Sequence, residues 1–156
     1  MSISQEITSD DNVISGYDIQ KRVEELVANI ENSFTKSWYF DFMEAWHSSP
    51  EKTKNIVNRL VARGKVEDYE FEELELLLET FGQMIYDNEI KDKQFLNDCY
   101  TDGDWAEDEV KSLGYLPRDL DYLISSNINF DGIAEDLLQN YSDIQFNGIT
   151  FHYQEF

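Results

Sequence analysis

The sequence predicts an α+β fold, predominantly α-helical with a C-terminal β-hairpin. Three observations predict it. Apolar residues recur at helical spacing over most of residues 18–138. Two alternating apolar runs meet at Asn147-Gly148. The composition also supplies a core, since 41% of the 156 residues are hydrophobic and 14% aromatic. Such a content offsets the tendency of a highly charged chain to stay unfolded. The expected organisation is a flexible tail over 1–16, a helical acidic lobe over 17–100, and a helical lobe with the hairpin over 101–156.

The tail is polar and has no sustained period. From Asp18, a plausible N-cap, the residues Ile19, Val23, Leu26, Val27, Ile30 and Phe34 form one helical stripe. Residues 36–47 are dense in aromatics, with Trp38, Phe42 and Trp46 four apart. That spacing suits core packing, and it also suits an aromatic contact site for a partner. Ser49-Pro50 opens another helix, because proline fits the first turn, where its missing N–H costs nothing. Ile56, Val57, Leu60 and Val61 make its stripe, and Gly64 ends it.

The next helix is expected over 68–81, with Phe71, Leu74, Leu77, Leu78 and Phe81 inward. Residues 83–100 are the least readable; Phe95, Leu96, Cys99 and Tyr100 suggest a helix end after a turn at Asp87-Asn88. A helix capped by Asp104 carries Trp105, Ala106, Val110 and Leu113 and stops at Gly114. Pro117 starts a short helix with Leu120, Leu123 and Ile124, and Asn129 caps another with Ile133, Ala134, Leu137 and Leu138. Asn-Gly between alternating apolar runs is a strong hairpin signal, because both turn residues must adopt positive φ. Pairing Phe146 with Ile149 and Ile144 with Phe151 puts these four and Tyr153 on one face, which helices must cover.

Charge narrows the functional classes. Twelve Lys+Arg against 33 Asp+Glu leave a formal net charge of −21. A direct binder of nucleic-acid phosphates needs a basic face that this chain can scarcely build. A cationic membrane-surface helix is equally disfavoured. No apolar run has the length of a membrane span, and the first 30 residues do not read as a signal peptide. A single cysteine, Cys99, leaves no internal disulfide framework and suits the reducing cytoplasm.

The charge is unevenly placed. Residues 51–66 carry five bases against Glu51, whereas residues 67–110 carry sixteen acids against Lys91 and Lys93. The acidic segment alone therefore holds −14 of the net −21. Asp68, Glu72, Glu75 and Glu79 share one helix face. Like charges at such spacings each cost about 0.2–0.5 kcal/mol, so local helix stability does not favour the stripe. A second acidic group is Asp102, Asp104, Glu107, Asp108 and Glu109. Both read as a solvated face or as a surface for a basic partner. The basic stretch either neutralises the acids within the fold or makes a contact of its own.

Catalytic chemistry has little support. Glu44 and His47 have the spacing of half a di-iron carboxylate site, but the matching second pair is missing. Cys99 has no evident base, no Gly-rich phosphate loop occurs, and the Asp102-Gly103-Asp104 turn lacks calcium-loop spacing. No cofactor or metal is expected, and the protein is expected not to be an enzyme.

An acidic surface can occupy a groove built for phosphates. Duplex DNA carries about one charge per 1.7 Å of axis, so twenty-one charges match roughly 36 Å. The last third of the chain resembles the C-terminal part of ArdA-type antirestriction proteins. The matching run is Trp105-Ala106-Glu107-Asp108-Glu109 through Leu113-Gly114 and Leu116-Pro117 to Leu120, then Ile128-Asn129-Phe130, Ala134-Glu135-Asp136-Leu137 and the Asn147-Gly148 hairpin. Asn129 stands where that family prefers Asp, and Glu135 where it prefers Arg. The resemblance implies an acidic DNA mimic, often a homodimer, carried by phages or mobile elements, that fills the DNA groove of restriction–modification enzymes. The expected partner is thus a basic nucleic-acid-binding protein of a bacterial host, a restriction–modification or CRISPR effector. The expected contact residues are the two acidic groups. The alternative is an interaction module that binds through Trp38, Phe42 and Trp46.

Overall fold

The computed structural model describes residues 6–30 and 36–155. The element order is β1 (Val13–Ser15), α1 (Gly16–Asn29), α2 (Lys36–Ser48), α3 (Pro50–Ala62), α4 (Asp68–Tyr86), β2 (Gln94–Asn97), α5 (Gly103–Ser112), α6 (Tyr122–Ser125), α7 (Phe130–Leu138), β3 (Ser142–Phe146) and β4 (Ile149–Tyr153). The fold is α+β and dominated by helices, with a four-stranded sheet in the order β1-β2-β4-β3. The chain divides into two units: Met1–Thr8 with Ile14–Lys93, and Ser9–Val13 with Gln94–Phe156.

The first unit is a bundle of α1 to α4. α1 packs on α2 and α4, and α2 on α3 and α4. Its core takes Ile19, Val23 and Val27 from α1, Phe42 and Trp46 from α2, Val57 from α3, and Phe71, Leu74, Leu77 and Phe81 from α4. These follow the stripes that the spacing predicts except in α3, where Ile56 is 56% exposed and Val61 half-buried, so that Thr53, Val57 and Leu60 make the buried face; Phe34 lies outside the described residues. α1 starts two residues before Asp18, with Ser15 in the N-cap position. Asp18 instead lies in the first turn, where a negative charge meets the positive helix end. Val13–Ser15 is a strand, because Ile14 finds a buried position at 2% exposure. Ser49 occupies the N-cap position of α3 without a capping bond from its side chain, Pro50 opens the first turn, and Gly64 follows the helix at φ 71°. α4 continues beyond Phe81 to Tyr86 because Gly82 and Ile85 are also buried. Asn88, at φ 59°, then turns the chain.

The second unit holds the hairpin. β4 pairs antiparallel with β3 in the register Ile144↔Phe151 and Phe146↔Ile149, around Asn147 and Gly148 at φ 52° and 79°. Phe146, Phe151 and Tyr153 are buried, Ile144 is half-buried and Ile149, next to the turn, stays exposed. The run 94–97 is a strand rather than the expected helix end: β2 pairs with β4 through Leu96↔His152 and Asn97↔Phe151. Phe95, which reads as part of a helical stripe, is fully buried as a strand residue. α5 and α7 pack together, with Trp105, Ala106 and Ala134 in a small core against Leu96, Tyr100 and Tyr141. The N-cap of α5 is Asp102, whose carboxylate accepts from the Trp105 amide at 3.1 Å, and not Asp104. Asn129 caps α7 as expected, accepting from the Gly132 amide at 3.1 Å. The short helix begins at Tyr122 and is capped by Asp121, five residues beyond Pro117.

Candidate functional site

The acidic face of α4 divides into two halves. Asp68 and Glu72 are exposed, and among the described residues no cation lies within ion-pair distance of either. Glu75 and Glu79 both meet Lys54 of α3, whose ammonium lies 3.8 Å from Glu75 and 3.0 Å from Glu79. The same ammonium lies 3.8 Å from Glu51 and 5.6 Å from the centre of the Trp46 ring. It is held above its ordinary pKa, chiefly by the hydrogen bond to Glu79. Part of the basic stretch therefore neutralises the stripe internally. Lys52, Arg59, Arg63 and Lys65 are exposed.

The other edge of α4 is anchored to α1. Glu73 accepts two hydrogen bonds from Arg22, one from Nη2 at 2.6 Å and one from Nε, and both side chains are mostly buried. Arg22 is held above its ordinary pKa, first by that hydrogen bond. A forked carboxylate–guanidinium pair fixes orientation as well as charge, so it sets the rotation of α4 on the bundle. That rotation turns Asp68 and Glu72 to solvent.

In the second unit the carboxylates of α5 have different tasks. Asp102 is spent on capping, and Glu107 accepts from Lys111 at 2.8 Å, an i,i+4 pair. Glu109 is half-buried, and its charge adds to the effect of burial in raising the Tyr141 phenol. Asp104 and Asp108 remain exposed and, among the described residues, without an ion-pair partner. Each unit thus shows i,i+4 pairs of open carboxylates: Asp68 with Glu72 in the first, and Asp104 with Asp108 and, on α7, Asp131 with Glu135 in the second.

The aromatic candidates take other places. Phe42 and Trp46 are buried at 5% and 8% exposure, stacked on each other. The Trp38 indole donates to the Val27 carbonyl at 3.1 Å. The four-residue spacing is therefore a packed face of α2, and a partner cannot reach Phe42 or Trp46 with the core closed. Phe40, two residues from both Trp38 and Phe42 and so on another face of the helix, is the exposed ring of this segment.

Two features escape the sequence reading. His152 of β4 is buried, with Nδ1 2.6 Å from Asp143 and Nε2 2.8 Å from Asp98. This clamp ties β4 to β3 and to the residue after β2. The hairpin register already places Asp143 opposite His152, so the register was the signal for half of it. The second feature is a cavity of about 530 Å³ in the first unit, lined among others by Gln20, Tyr39, Phe40, Glu44, Tyr86 and Lys91. Gln20 donates to Glu24 at 3.1 Å and to the Tyr39 hydroxyl at 2.7 Å. Burial pushes the Tyr39 phenol up to about 12.

Glu44 accepts from the Tyr86 hydroxyl at 3.0 Å, and His47 stacks on the Tyr86 ring at 3.7 Å. Among the described residues no three His, Cys, Asp or Glu side chains converge as a metal site. Cys99 is exposed. Among the same residues no helix is long and apolar enough to cross a membrane. Comparison with protein-family models, curated proteins and solved structures gives no match.

Proposed function

We propose that this protein is a non-enzymatic inhibitor that mimics nucleic acid. It blocks the DNA- or RNA-binding groove of a bacterial defence enzyme, a restriction–modification or CRISPR effector, in the host cytoplasm, and belongs to a phage or mobile element. The observation that carries this reading is that each unit presents open carboxylate pairs, Asp68 with Glu72 and Asp104 with Asp108 among them. A folded acidic protein lowers its own repulsion by pairing acids with its bases, as Lys54, Arg22 and Lys111 do here. Asp68, Glu72, Asp104 and Asp108 stand outside that pairing. An i,i+4 pair rises about 6 Å along its helix, close to two phosphate steps of about 3.4 Å each along one strand. Rows of Lys and Arg that grip phosphates fit such a spacing, and attraction between the opposed fields speeds association. The C-terminal resemblance to antirestriction proteins points the same way.

Charge reversal tests it. Asp68→Lys with Glu72→Lys, and Asp104→Lys with Asp108→Lys, are assayed for release of a labelled duplex from a type I restriction–modification methyltransferase, and of target DNA from a guide-loaded CRISPR effector. Each pair of reversals is expected to weaken the inhibition at least tenfold with the fold retained. Inhibition unchanged in both double variants would remove these surfaces from the mechanism.

A further inference from the structure

The turn α6 departs from every other helix in the fold. It buries none of its residues. Tyr122, Leu123 and Ile124 are consecutive and are 80%, 74% and 55% exposed. Successive helical residues are about 100° apart, so three exposed apolar side chains leave this turn no packed face. Tyr115, 73% exposed, and Leu113, 56% exposed, precede it in the same segment. Single exposed apolar residues need no explanation, but a run of them marks a contact surface.

The turn is held by polar bonds of its own. Asp121 accepts from the Leu123 amide at 2.8 Å. Ser125 donates to the Tyr122 carbonyl at 3.3 Å, and Asn127 donates to the Leu123 carbonyl at 2.7 Å. These bonds fix the backbone while no packing fixes the side chains. The segment is shaped, and its apolar groups are left open.

We infer that the Tyr122–Ile124 turn is a docking plug that inserts into an apolar cleft on a basic protein. Charge selects the occupant. The unit that carries the turn has fifteen acids against Lys111 and Arg118, and Lys111 is already paired with Glu107. Asp119 and Asp121 flank the turn and are exposed. A second copy of the chain would bring the same acidic flanks to the seam. A basic partner replaces that repulsion with attraction, and its cleft covers the three side chains. The inference rests on the proposed inhibitor function, because it gives the same basic enzyme a second, salt-insensitive hold. Acids bring the partner in and set the association rate; the apolar plug slows release.

The test is the triple variant Tyr122→Ser, Leu123→Ser and Ile124→Ser, compared with the wild type against the same methyltransferase and CRISPR effector. Binding kinetics, duplex displacement and sedimentation are measured. The three side chains are exposed, so the variant is expected to keep its melting temperature. Its dissociation is expected to be at least tenfold faster, with the association rate and salt dependence kept. Unchanged dissociation with displacement intact overturns the plug and leaves the mimic standing. Faster dissociation from an enzyme that never releases its duplex ends the mimic and leaves the plug. A wild-type dimer that the triple variant dissolves overturns the plug in favour of self-association. Absence of binding to either enzyme by both proteins overturns both.

Discussion

Glu72 separates stability from function most cleanly. It lies four residues after Asp68 and three before Glu75 on the exposed face of α4, and no cation among the described residues pairs with it. Each like-charge contact of this kind costs about 0.2–0.5 kcal/mol, so Glu72→Gln relieves about 0.4–1 kcal/mol. Gln and Glu have nearly equal helix propensity, which leaves the charge as the main change. For a chain of this size about 1 kcal/mol moves the melting temperature by about 2–4 °C, so a rise of about 1–4 °C is expected at low salt.

Glu79→Gln lacks that net gain. It relieves the contact with Glu75 but loses the 3.0 Å bond to Lys54. An exposed pair of that kind is worth about 0.2–1 kcal/mol, so the two effects nearly cancel. The assay is thermal unfolding followed by circular dichroism, at low salt and at 1 M, where charges are screened beyond about 3 Å. The gain from Glu72→Gln is expected to shrink at 1 M. A fall in melting temperature at low salt, or a rise that 1 M salt leaves intact, would refute the reasoning. Inhibition is expected to weaken in the same variant, so the substitution that helps the fold harms the proposed activity.

Three further outcomes are expected. Glu73→Gln removes the charged half of the forked bond to Arg22, which keeps Glu25 at 4.0 Å; a loss of about 1.5–3 kcal/mol is expected, read as a lower urea midpoint, although the overall negative charge also falls. Gly16→Ala would set a Cβ 1.7 Å from the Ile90 carbonyl oxygen. Only backbone movement relieves that clash, so thermal unfolding is expected to begin several degrees lower, and an unchanged melting temperature would contradict the close approach. The Tyr39 phenol is raised from 10.0 to about 12 by burial. The unfolded chain therefore ionises first, and stability present below pH 10 is lost as pH rises toward 12. Tyr39→Phe is expected to flatten that part of the pH–stability curve measured by denaturant titration.

The helical core was largely legible because period and burial agree. Ile19, Val23, Val27, Leu74, Leu77 and Phe81 all lie where the 3.6-residue period puts them. The hairpin was legible to the register, because Asn-Gly admits few turns. β2 was not. Its four residues, Gln94–Asn97, are too short to show a period, and their partner is a strand more than fifty residues away. Trp38, Phe42 and Trp46 show a limit of another kind: spacing identifies a face but not what covers it. Likewise the acids of α4 form a stripe in the sequence, while their division into open and paired members depends on where α1 and α3 bring Arg22 and Lys54. Non-local pairing carries no sequence period, so that division needed the fold. The turn at Tyr122–Ile124 reads as the inward face of a short helix, and only the exposure of its side chains reveals it as surface.

The central claim is that the acidic surface and a nucleic acid compete for one groove. Its most direct measurement is equilibrium competition on a type I methyltransferase and on a guide-loaded CRISPR effector, with the wild-type chain labelled and unlabelled duplex titrated from low to high concentration. Duplex is expected to displace the chain completely from at least one of the two enzymes, with the chain's affinity falling steeply as salt rises. Chain and duplex bound together on each enzyme that takes the chain, or no binding of the chain to either, would contradict the claim.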